Sequence, residues 1–159
     1  MMIIRTYRRD DARDVANLIR ETFSKFNRKE GTPAAVQAYI DHYDYFAHRE
    51  EIDRSFSFRS PIFYVAVNND RVVGMVRGDR GRVFNWFVLG KYHGQGIGRR
   101  LMERFESEAM RRGSYEIRVR ASLYAVPFYH RLGYKRTTGV RNFRRIGGIK
   151  IQPMRKKLK

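Results

Sequence analysis

Residues 86–98, WFVLGKYHGQGIG, decide the fold, because an apolar strand passes there into a glycine-rich loop and then into a helix. The first residues of the stretch are almost wholly apolar, which is typical of a strand in the middle of a sheet. Gly94, Gly96 and Gly98 leave backbone N–H groups uncovered at the positive end of a helix dipole. This pattern predicts a binding site for a phosphate or pyrophosphate. A tight strand-to-helix turn that uses glycine only for its backbone freedom is the alternative interpretation.

The loop differs from two common nucleotide-binding motifs. It lacks the Gly-Lys-Ser/Thr ending of a P-loop, which disfavours a nucleoside triphosphatase. It also reads Gly-x-Gly-x-Gly rather than Gly-x-Gly-x-x-Gly, and it follows the fourth predicted strand instead of the first. A dinucleotide-binding fold is therefore a poor match.

On the amino-terminal side, the pattern predicts a short strand at residues 3–7 followed by two amphipathic helices. The second helix starts at Thr32, which is followed by proline, and its apolar face continues as far as Phe46. A β-hairpin with its turn at residues 68–70 comes next. None of these apolar stripes is assigned a chemical role, because such stripes usually pack in a core.

On the carboxy-terminal side, the predicted elements are a helix from about Gly98 to Arg112, a strand at residues 115–120, a short helix ended by Gly133, and strands near residues 134–138 and 149–154. The order is β-α-α-β-β-β-α-β-α-β-β. The strand, loop, helix and strand around the glycine loop form a right-handed crossover between parallel strands. The fold class is therefore α/β or α+β, with one sheet and helices on its faces. No repeat or linker interrupts the pattern, so residues 1–159 are expected to form a single domain.

The charge of the chain is strongly basic and unevenly distributed. Its 159 residues carry a formal net charge of +18, and residues 57–159 hold the whole excess. The segment Arg141–Lys159 contains eight basic groups and no acidic one. Positive charge concentrated in one part of the chain is typical of a protein with a polyanionic partner, such as nucleic acid, phospholipid headgroups or a phosphorylated cofactor. A solvated basic surface without a specific ligand is the alternative.

Several classes of protein are excluded by what the sequence lacks. There is no cysteine, which excludes disulfides, thiolate nucleophiles and Cys-ligated zinc, and the four histidines show no metal-ligand spacing. We therefore expect no metal. No apolar run approaches the ~20 residues of a membrane span, and the first residues show no apolar stretch of a signal peptide. A cytoplasmic location is expected.

Two short segments match a known pair of motifs. His93-Gly94-Gln95-Gly96-Ile97-Gly98 is similar to the acyl-CoA-binding motif Gln/Arg-x-x-Gly-x-Gly/Ala. Residues 121–134, ASLYAVPFYHRLGY, are similar to the pattern A-S-x-x-A-x-x-F-Y-x-K-L-G-F. Both belong to the GCN5-related N-acetyltransferases, the GNAT superfamily. Because the motifs occur in the family's order and at its spacing, the chain resembles this family over nearly its whole length.

The resemblance implies both a fold and an activity. The fold is a mixed, mostly antiparallel sheet of about seven strands with a central parallel pair, flanked by about four helices. The activity is direct transfer of an acetyl group from the cosubstrate acetyl-CoA to a primary amine of a small molecule, a peptide or a protein. The fourth and fifth strands would diverge, and the pantetheine arm of acetyl-CoA would lie between them.

The resemblance also assigns roles to individual residues. The residues implied in cofactor binding are Trp86, Phe87, Val88 and Ser122 for the pantetheine arm, and His93, Gly94, Gln95, Gly96, Ile97, Gly98 and Arg99 for the pyrophosphate. Tyr129 matches the general acid that protonates the departing thiolate, a role that suits a phenol with a reference pKa of about 10. An aromatic residue that only packs on the sheet is the alternative interpretation of Tyr129.

Three positions depart from the family pattern. His93 stands where Gln or Arg is usual, so the contribution of that side chain to pyrophosphate binding is in doubt. Ser122 replaces a common Asn, which weakens the match near the pantetheine arm. Gly90 replaces a common Pro, a change expected only to loosen the turn.

The sequence leaves the general base and the acceptor open. Asp79, Glu116 and His130 lie within reach by topology, but each is better explained as an exposed polar residue. Two other functions also fit the chain. One is a basic module that binds nucleic acid or the ribosome through Arg141–Lys159, and the other is a non-catalytic GNAT-like protein that binds acyl-CoA. A monomer and a homodimer are both compatible with the sequence.

Overall fold

One mixed sheet organises the molecule. The computed structural model describes residues 1–143 and 148–159, and within these ranges the chain forms eight strands and five α-helices. The strands are β1 (Met2–Thr6), β2 (Ile62–Asn68), β3 (Arg71–Asp79), β4 (Arg82–Val88), β5 (Glu116–Ser122), β6 (Lys135–Arg136), β7 (Arg141–Phe143) and β8 (Ile149–Lys157). The helices are α1 (Ala12–Phe26), α2 (Pro33–His42), α3 (Arg49–Phe58), α4 (Ile97–Arg111) and α5 (Val126–Arg131).

The strands lie in the order β1-β2-β3-β4-β5-β8-β6, and β7 also pairs with β8. Only β4 and β5 are parallel among the described strands, and α4 connects them. The predicted mostly antiparallel sheet with a central parallel pair is confirmed. The sheet has eight strands rather than about seven, because the three residues of β7 pair with the start of β8, with Arg141 opposite Ile151.

The basic segment Arg141–Lys159 is built into the sheet. β8 lies between β5 and β6 and pairs along its length with β5, from Ser122 opposite Ile151 to Glu116 opposite Lys157. Residues 144–147, which carry two of the eight basic groups, lie outside the described residues. Five of the remaining basic groups, Arg141, Lys150, Arg155, Lys156 and Lys157, therefore have positions fixed by strand register, whereas Lys159 follows the end of β8.

The first hairpin is set by its turn. Asn69 and Asp70 separate β2 from β3 and have φ angles of 49° and 63°. A two-residue turn with both φ angles positive matches the right-handed twist of the flanking strands, and Asn and Asp tolerate this conformation. The hairpin therefore forms at the predicted residues 68–70.

Helices cover both faces of the sheet. α4 packs on the face that carries Trp86, and the apolar residues Leu101, Phe105 and Ala109 of this helix are fully buried. The adjacent position, Asn85, points to the opposite face, where α1, α2 and α3 pack. There its side-chain oxygen accepts a hydrogen bond of 2.6 Å from Arg77.

The second helix ends earlier than its apolar pattern predicts. Thr32 caps it as expected, since its hydroxyl accepts from the Ala35 N–H at 3.1 Å. The Asp44 carboxylate then accepts from the N–H groups of Phe46 and Ala47, at 3.1 and 3.2 Å, and such local bonds compete with a helix. Phe46 is consequently 77% exposed rather than part of the helix face. The helix that follows, α3, is absent from the predicted order, so the described part of the chain has five α-helices instead of about four.

Candidate active site

The parallel pair β4 and β5 separates soon after it begins. Arg82 pairs with Arg118 and Val83 with Val119, and no later residue of β4 pairs with β5 in the described chain. Beyond this point β5 pairs only with β8, so the second half of β4 has a free backbone edge. The result is a V-shaped opening in the middle of the sheet.

A cleft of about 400 Å³ occupies this opening. Nearly all the predicted cofactor-binding residues line it: Trp86, Phe87, Val88, His93, Gly94, Gly96, Ile97, Gly98, Arg99 and Ser122. Gln95 is the exception, because its exposed side chain turns back and donates to the Lys91 carbonyl at 3.4 Å. The two sequence motifs, which are separated by α4 and β5, therefore meet at one site.

The glycine loop presents a row of backbone donors to the cleft. Gly94 and Gly96 have φ angles of 75° and 78°, a conformation that glycine adopts without strain, and α4 begins directly after them. The six consecutive N–H groups from Gly94 to Arg99 have no hydrogen-bond acceptor among the residues that the structure describes. We call these six groups the N–H row. Together with the positive end of the α4 dipole, the N–H row is suited to bind the oxygens of a pyrophosphate.

A close contact, rather than a positive φ angle, favours glycine at position 98. A Cβ atom at this position would lie 3.2 Å from Cζ2 of Trp86. The indole Nε1 of Trp86 also donates to the Gly98 carbonyl at 3.0 Å. The Trp86 ring is thus held against the first turn of α4, where it forms part of the cleft wall.

The side chain of His93 contacts β4 instead of the N–H row. Its Nε2 atom lies 2.6 Å from the Val88 carbonyl, and since a carbonyl only accepts, the proton is on Nε2. The imidazole ring stacks on Phe26 at a centroid distance of 4.9 Å. In this arrangement the ring fixes the end of β4, which differs from the direct pyrophosphate contact that the family motif implies.

Contact with Phe26 also accounts for the glycine at position 90. A Cβ atom on Gly90 would come within 2.8 Å of Cζ of Phe26, which is closer than real contacts allow. Phe26 also stacks on Tyr124, at 5.0 Å, so its ring lies between the loop after β4 and the loop after β5. The glycine therefore makes room for an aromatic contact across the cleft, and does more than loosen the turn.

Tyr129 lies directly behind the cleft wall. It is 3% exposed and does not line the cleft, but its ring contacts the edge of Trp86 at a centroid distance of 4.8 Å. Burial raises the pKa of the Tyr129 hydroxyl well above its usual value, so the group stays protonated at neutral pH. Its role as a general acid stays a prediction.

The three candidates for the general base lie away from the cleft. Asp79 is at the opposite end of the sheet, where its carboxylate accepts from the Gly81 N–H at 2.8 Å. Glu116 begins β5, also at the paired end, and binds Arg118 at 2.9 Å. His130 is exposed on α5 and does not line the cleft.

The cleft also contains residues that the motifs do not indicate. Thr22 and Asn27, from the end of α1, form part of its wall together with Tyr124 and Phe128. The Thr22 side chain is 5% exposed, and its hydroxyl oxygen is buried without a hydrogen-bond partner in the described chain. A signal for Thr22 exists in the sequence, because this polar residue falls on the buried stripe of α1, three positions after Ile19.

Asn27 is held by a buried carboxylate. Its side-chain nitrogen donates to Glu30 at 2.6 Å, and the other oxygen of Glu30 accepts from the Tyr124 N–H. Glu30 is buried, and this burial raises the pKa of its carboxyl group despite the hydrogen bonds it accepts. The carboxylate thus ties the segment after α1 to the loop after β5 at the side of the cleft.

Comparison with known proteins identifies the family. The family model described as an acetyltransferase (GNAT) domain matches residues 21–158. The chain therefore belongs to the GNAT acetyltransferase family. It is an N-acetyltransferase that uses acetyl-CoA, and its acceptor is not identified.

Solved structures share the fold across the whole chain. A GCN5-related N-acetyltransferase from Rhodopseudomonas palustris is 19% identical, with 98% of this chain and 95% of that chain covered and a TM-score of 0.82. The PaiA N-acetyltransferase from Thermoplasma acidophilum, solved in complex with coenzyme A, is 19% identical over 99% of both chains, with a TM-score of 0.77. The ribosomal-protein-S18-alanine N-acetyltransferase from Escherichia coli is 20% identical, with 100% and 95% covered and a TM-score of 0.68.

The described residues lack two other features. No helix in residues 1–143 and 148–159 is long and apolar enough to cross a membrane. The same ranges contain no group of three or more His, Cys, Asp or Glu side chains arranged to hold a metal ion.

Proposed function

We propose that the cleft binds acetyl-CoA with its pyrophosphate on the N–H row and its pantetheine arm along the free edge of β4. The observation that carries this proposal is the separation of β4 from β5, which opens directly onto the N–H row. Acetyl-CoA supplies the acetyl group as an activated thioester. Two bound reactants held in one cleft gain much of their rate from proximity and orientation.

The free edge of β4 provides the donor for the reacting carbonyl. The Leu89 N–H donates to the Val73 carbonyl at 2.9 Å, so the Leu89 backbone faces β3. Because backbone groups alternate between the two sides of a strand, the N–H groups of Val88 and Trp86 face the cleft. The contact between His93 and the Val88 carbonyl supports this orientation. We assign the Val88 N–H to the thioester carbonyl oxygen, where it stabilises the negative charge that develops during transfer.

Tyr129 is the proposed proton donor. The amine nitrogen forms a bond to the acetyl carbon while the carbon–sulfur bond breaks, and the departing thiolate takes the hydroxyl proton of Tyr129. The proton that the nitrogen loses as it becomes an amide then returns to the Tyr129 phenolate through water in the cleft. The motif match supports this assignment, and the ring contact with Trp86 places Tyr129 directly behind the cleft wall.

The acceptor amine is proposed to enter on the α1 side of the cleft. The unpartnered hydroxyl of Thr22 supports this choice, because a buried polar group without a partner is costly unless a ligand satisfies it. The acceptor ammonium loses its proton to water in the cleft, since Asp79, Glu116 and His130 all lie elsewhere.

Thermal unfolding and thiol release test the proposal together. Acetyl-CoA and CoA at about 100 times their dissociation constants should stabilise the protein by ~2.7 kcal/mol. For a chain of this size, that corresponds to a Tm increase of roughly 5–10 °C. NAD and ATP should produce a much smaller increase.

A panel of primary amines should then release CoA thiol in the presence of acetyl-CoA. The variant Arg99→Gln should weaken acetyl-CoA binding, whereas Arg111→Gln, at the other end of α4, should not. Equal Tm shifts with all four nucleotides, or none with the CoA pair, would refute the proposed cofactor site.

A further inference from the structure

Four cations lie side by side across the carboxy-terminal half of the sheet. Strand register places Arg82 of β4 opposite Arg118 of β5, Arg118 opposite Arg155 of β8, and Arg155 opposite Lys135 of β6. Directly paired residues share one face of a sheet, and all four side chains are exposed. At the usual strand spacing, this row spans ~14 Å.

Two further cations extend the row. Arg120 and Lys157 are exposed and follow Arg118 and Arg155 at intervals of two residues, so they point to the same face. We call the six residues Arg82, Arg118, Arg120, Lys135, Arg155 and Lys157 the basic sheet face. It lies on the side of the sheet opposite α4, beyond the part that α1, α2 and α3 cover. β4 has a bulge at Phe84, since Arg77 pairs with Asn85 but Gly78 pairs with Val83, so Arg82 shares the face of Asn85 rather than that of Trp86.

Within residues 1–143 and 148–159, two acidic residues lie beside the basic sheet face, fewer than its six cations. Glu116 binds Arg118 at 2.9 Å and Arg155 at 3.7 Å, and Asp79 pairs in register with Arg82. Like charges placed directly opposite on neighbouring strands repel each other and destabilise the sheet. A polyanion bound across these strands would remove that repulsion.

Aromatic rings accompany the charges. Phe84, the extra residue of the β4 bulge, is 36% exposed, and its ring lies 5.7 Å from the guanidinium of Arg77, which points to the same side of the sheet as Arg82. The Arg120 guanidinium lies 5.0 Å from the ring centroid of Phe143, which is only partly buried. A positively charged surface with exposed rings is the combination that binds single-stranded nucleic acid, because phosphates contact the cations and bases stack on the rings.

We propose that the basic sheet face is a docking surface for single-stranded nucleic acid. Four of its six cations are arginines, whose planar guanidinium groups contact phosphates in pairs of hydrogen bonds and stack on bases. The described residues of this surface include no cluster of large apolar anchors, which a protein partner would require. It is also separate from the N–H row, which lies at the start of α4, so one cofactor does not account for it.

The test measures binding of a fluorescein-labelled 20-nucleotide uridine oligomer to the full chain by fluorescence anisotropy. Affinity should fall steeply as salt rises from 50 to 200 mM. The variant with Arg82→Gln, Arg118→Gln and Arg155→Gln should bind at least tenfold more weakly at low salt. Loss of three phosphate contacts should also reduce the slope of log K against log salt by about 2.

A matched control removes the same charge elsewhere. Lys29→Gln, Arg54→Gln and Arg59→Gln change three exposed cations outside the basic sheet face, and their combined effect should be less than threefold. Phe84→Ala should weaken binding without changing the salt slope. Thermal unfolding and CoA thiol release should be preserved in every variant, which separates this proposal from the proposed catalytic site.

Three results would overturn the proposal. Equal weakening of binding in the control variant and in the variant with Arg82→Gln, Arg118→Gln and Arg155→Gln would mean that net charge alone attracts the oligomer. Tighter binding to a poly-glutamate peptide or to vesicles of anionic phospholipid would assign the surface to another partner. Unchanged oligomer binding in this triple arginine variant would show that the basic sheet face is not the docking surface.

Discussion

Tyr129 carries the most specific chemical prediction at the scale of single residues. Tyr129→Phe keeps the ring that packs on Trp86 and removes only the hydroxyl. We expect turnover to fall by about 10²- to 10⁴-fold, as for loss of a general acid, while acetyl-CoA affinity changes little. The measurements are thiol release and calorimetric binding. Tyr115→Phe, on a side chain that is 80% exposed, is the control, and undiminished turnover in Tyr129→Phe would refute the assignment.

Gly90 tests whether the Phe26 contact shapes the cleft. Gly90→Ala should destabilise the protein by ~1–3 kcal/mol, because the new methyl group overlaps the Phe26 ring. Chemical denaturation measures the loss. Combining it with Phe26→Leu should recover part of the stability, since the smaller side chain leaves room. Strictly additive losses in the double variant would contradict this explanation.

At this scale the sequence predicts residue types better than their contacts. Glycine at position 98 and histidine at position 93 were both assigned to the pyrophosphate by the motif. The structure adds that Gly98 makes room for Trp86 and that the His93 ring donates to Val88. Neither contact follows from spacing along the chain, because each depends on how β4, α1 and α4 approach one another.

At the scale of elements, the start of α4 depends on two glycines with positive φ angles. Gly96→Ala has space for its methyl group but forces a side chain into a left-handed conformation, which costs about 1–2 kcal/mol. If the backbone moves to relieve this strain, the N–H groups of the row change direction. Acetyl-CoA affinity should therefore fall several-fold. The measurement is the dissociation constant by calorimetry.

Gly113 provides the matched control for that experiment. It also has a positive φ angle, 91°, and open space for a Cβ atom, but it lies at the far end of α4. Gly113→Ala should therefore cost similar stability and leave acetyl-CoA affinity unchanged. If both variants bind acetyl-CoA as tightly as the original protein, the N–H row does not depend on Gly96.

Elements with strong local signals are predictable, and the exceptions have local causes. Thr32 and the apolar faces of α1 and α4 are confirmed in their predicted places. The apolar pattern of α2 runs on past its real end, because the bonds that Asp44 makes to the following backbone outweigh it. The α3 helix has only two buried apolar residues, Ile52 and Phe56, which is a weak periodic signal.

At the scale of the whole molecule, Glu30 links the amino-terminal helices to the loop after β5. Burial raises its pKa in the folded protein, so the folded state binds the proton more tightly than the unfolded state. Stability should therefore fall as pH rises from about 4.3, the value of an unperturbed Glu, through the raised folded pKa. The Glu30→Gln variant has no ionisable group at this position, so its stability lacks this dependence on pH.

Thermal unfolding of both proteins between pH 4 and pH 8 measures the effect. The Tm of the original protein should fall relative to that of Glu30→Gln as pH rises from 4 to 8. Glu51→Gln, on the exposed side of α3, is the control and should track the original protein. A Tm difference that is constant with pH would contradict the proposed role of the carboxyl.

The sequence predicts the plan of the molecule more fully than the assembly of its site. Two motifs are sufficient to place the parallel pair and the glycine loop. The cleft also needs Thr22, Asn27 and Glu30, which lie more than 60 residues before the first motif and carry no motif of their own. The even spacing of charges across β4, β5, β8 and β6 depends on strand register, which the basic composition alone does not reveal.

The position of β8 between β5 and β6 has a consequence for synthesis on the ribosome. The two residues of β6 leave the ribosome before β8, yet β8 is their pairing partner in the sheet. β5 likewise waits for β8, because it shares only two residue pairs with β4. Until β8 emerges, strands β1 to β4 of the nascent chain can pair with one another, but most of β5 has no partner strand. An unpaired strand of this kind is a typical starting point for aggregation. The amino-terminal half can form early, whereas closure of the sheet is delayed until β8 has emerged from the ribosome.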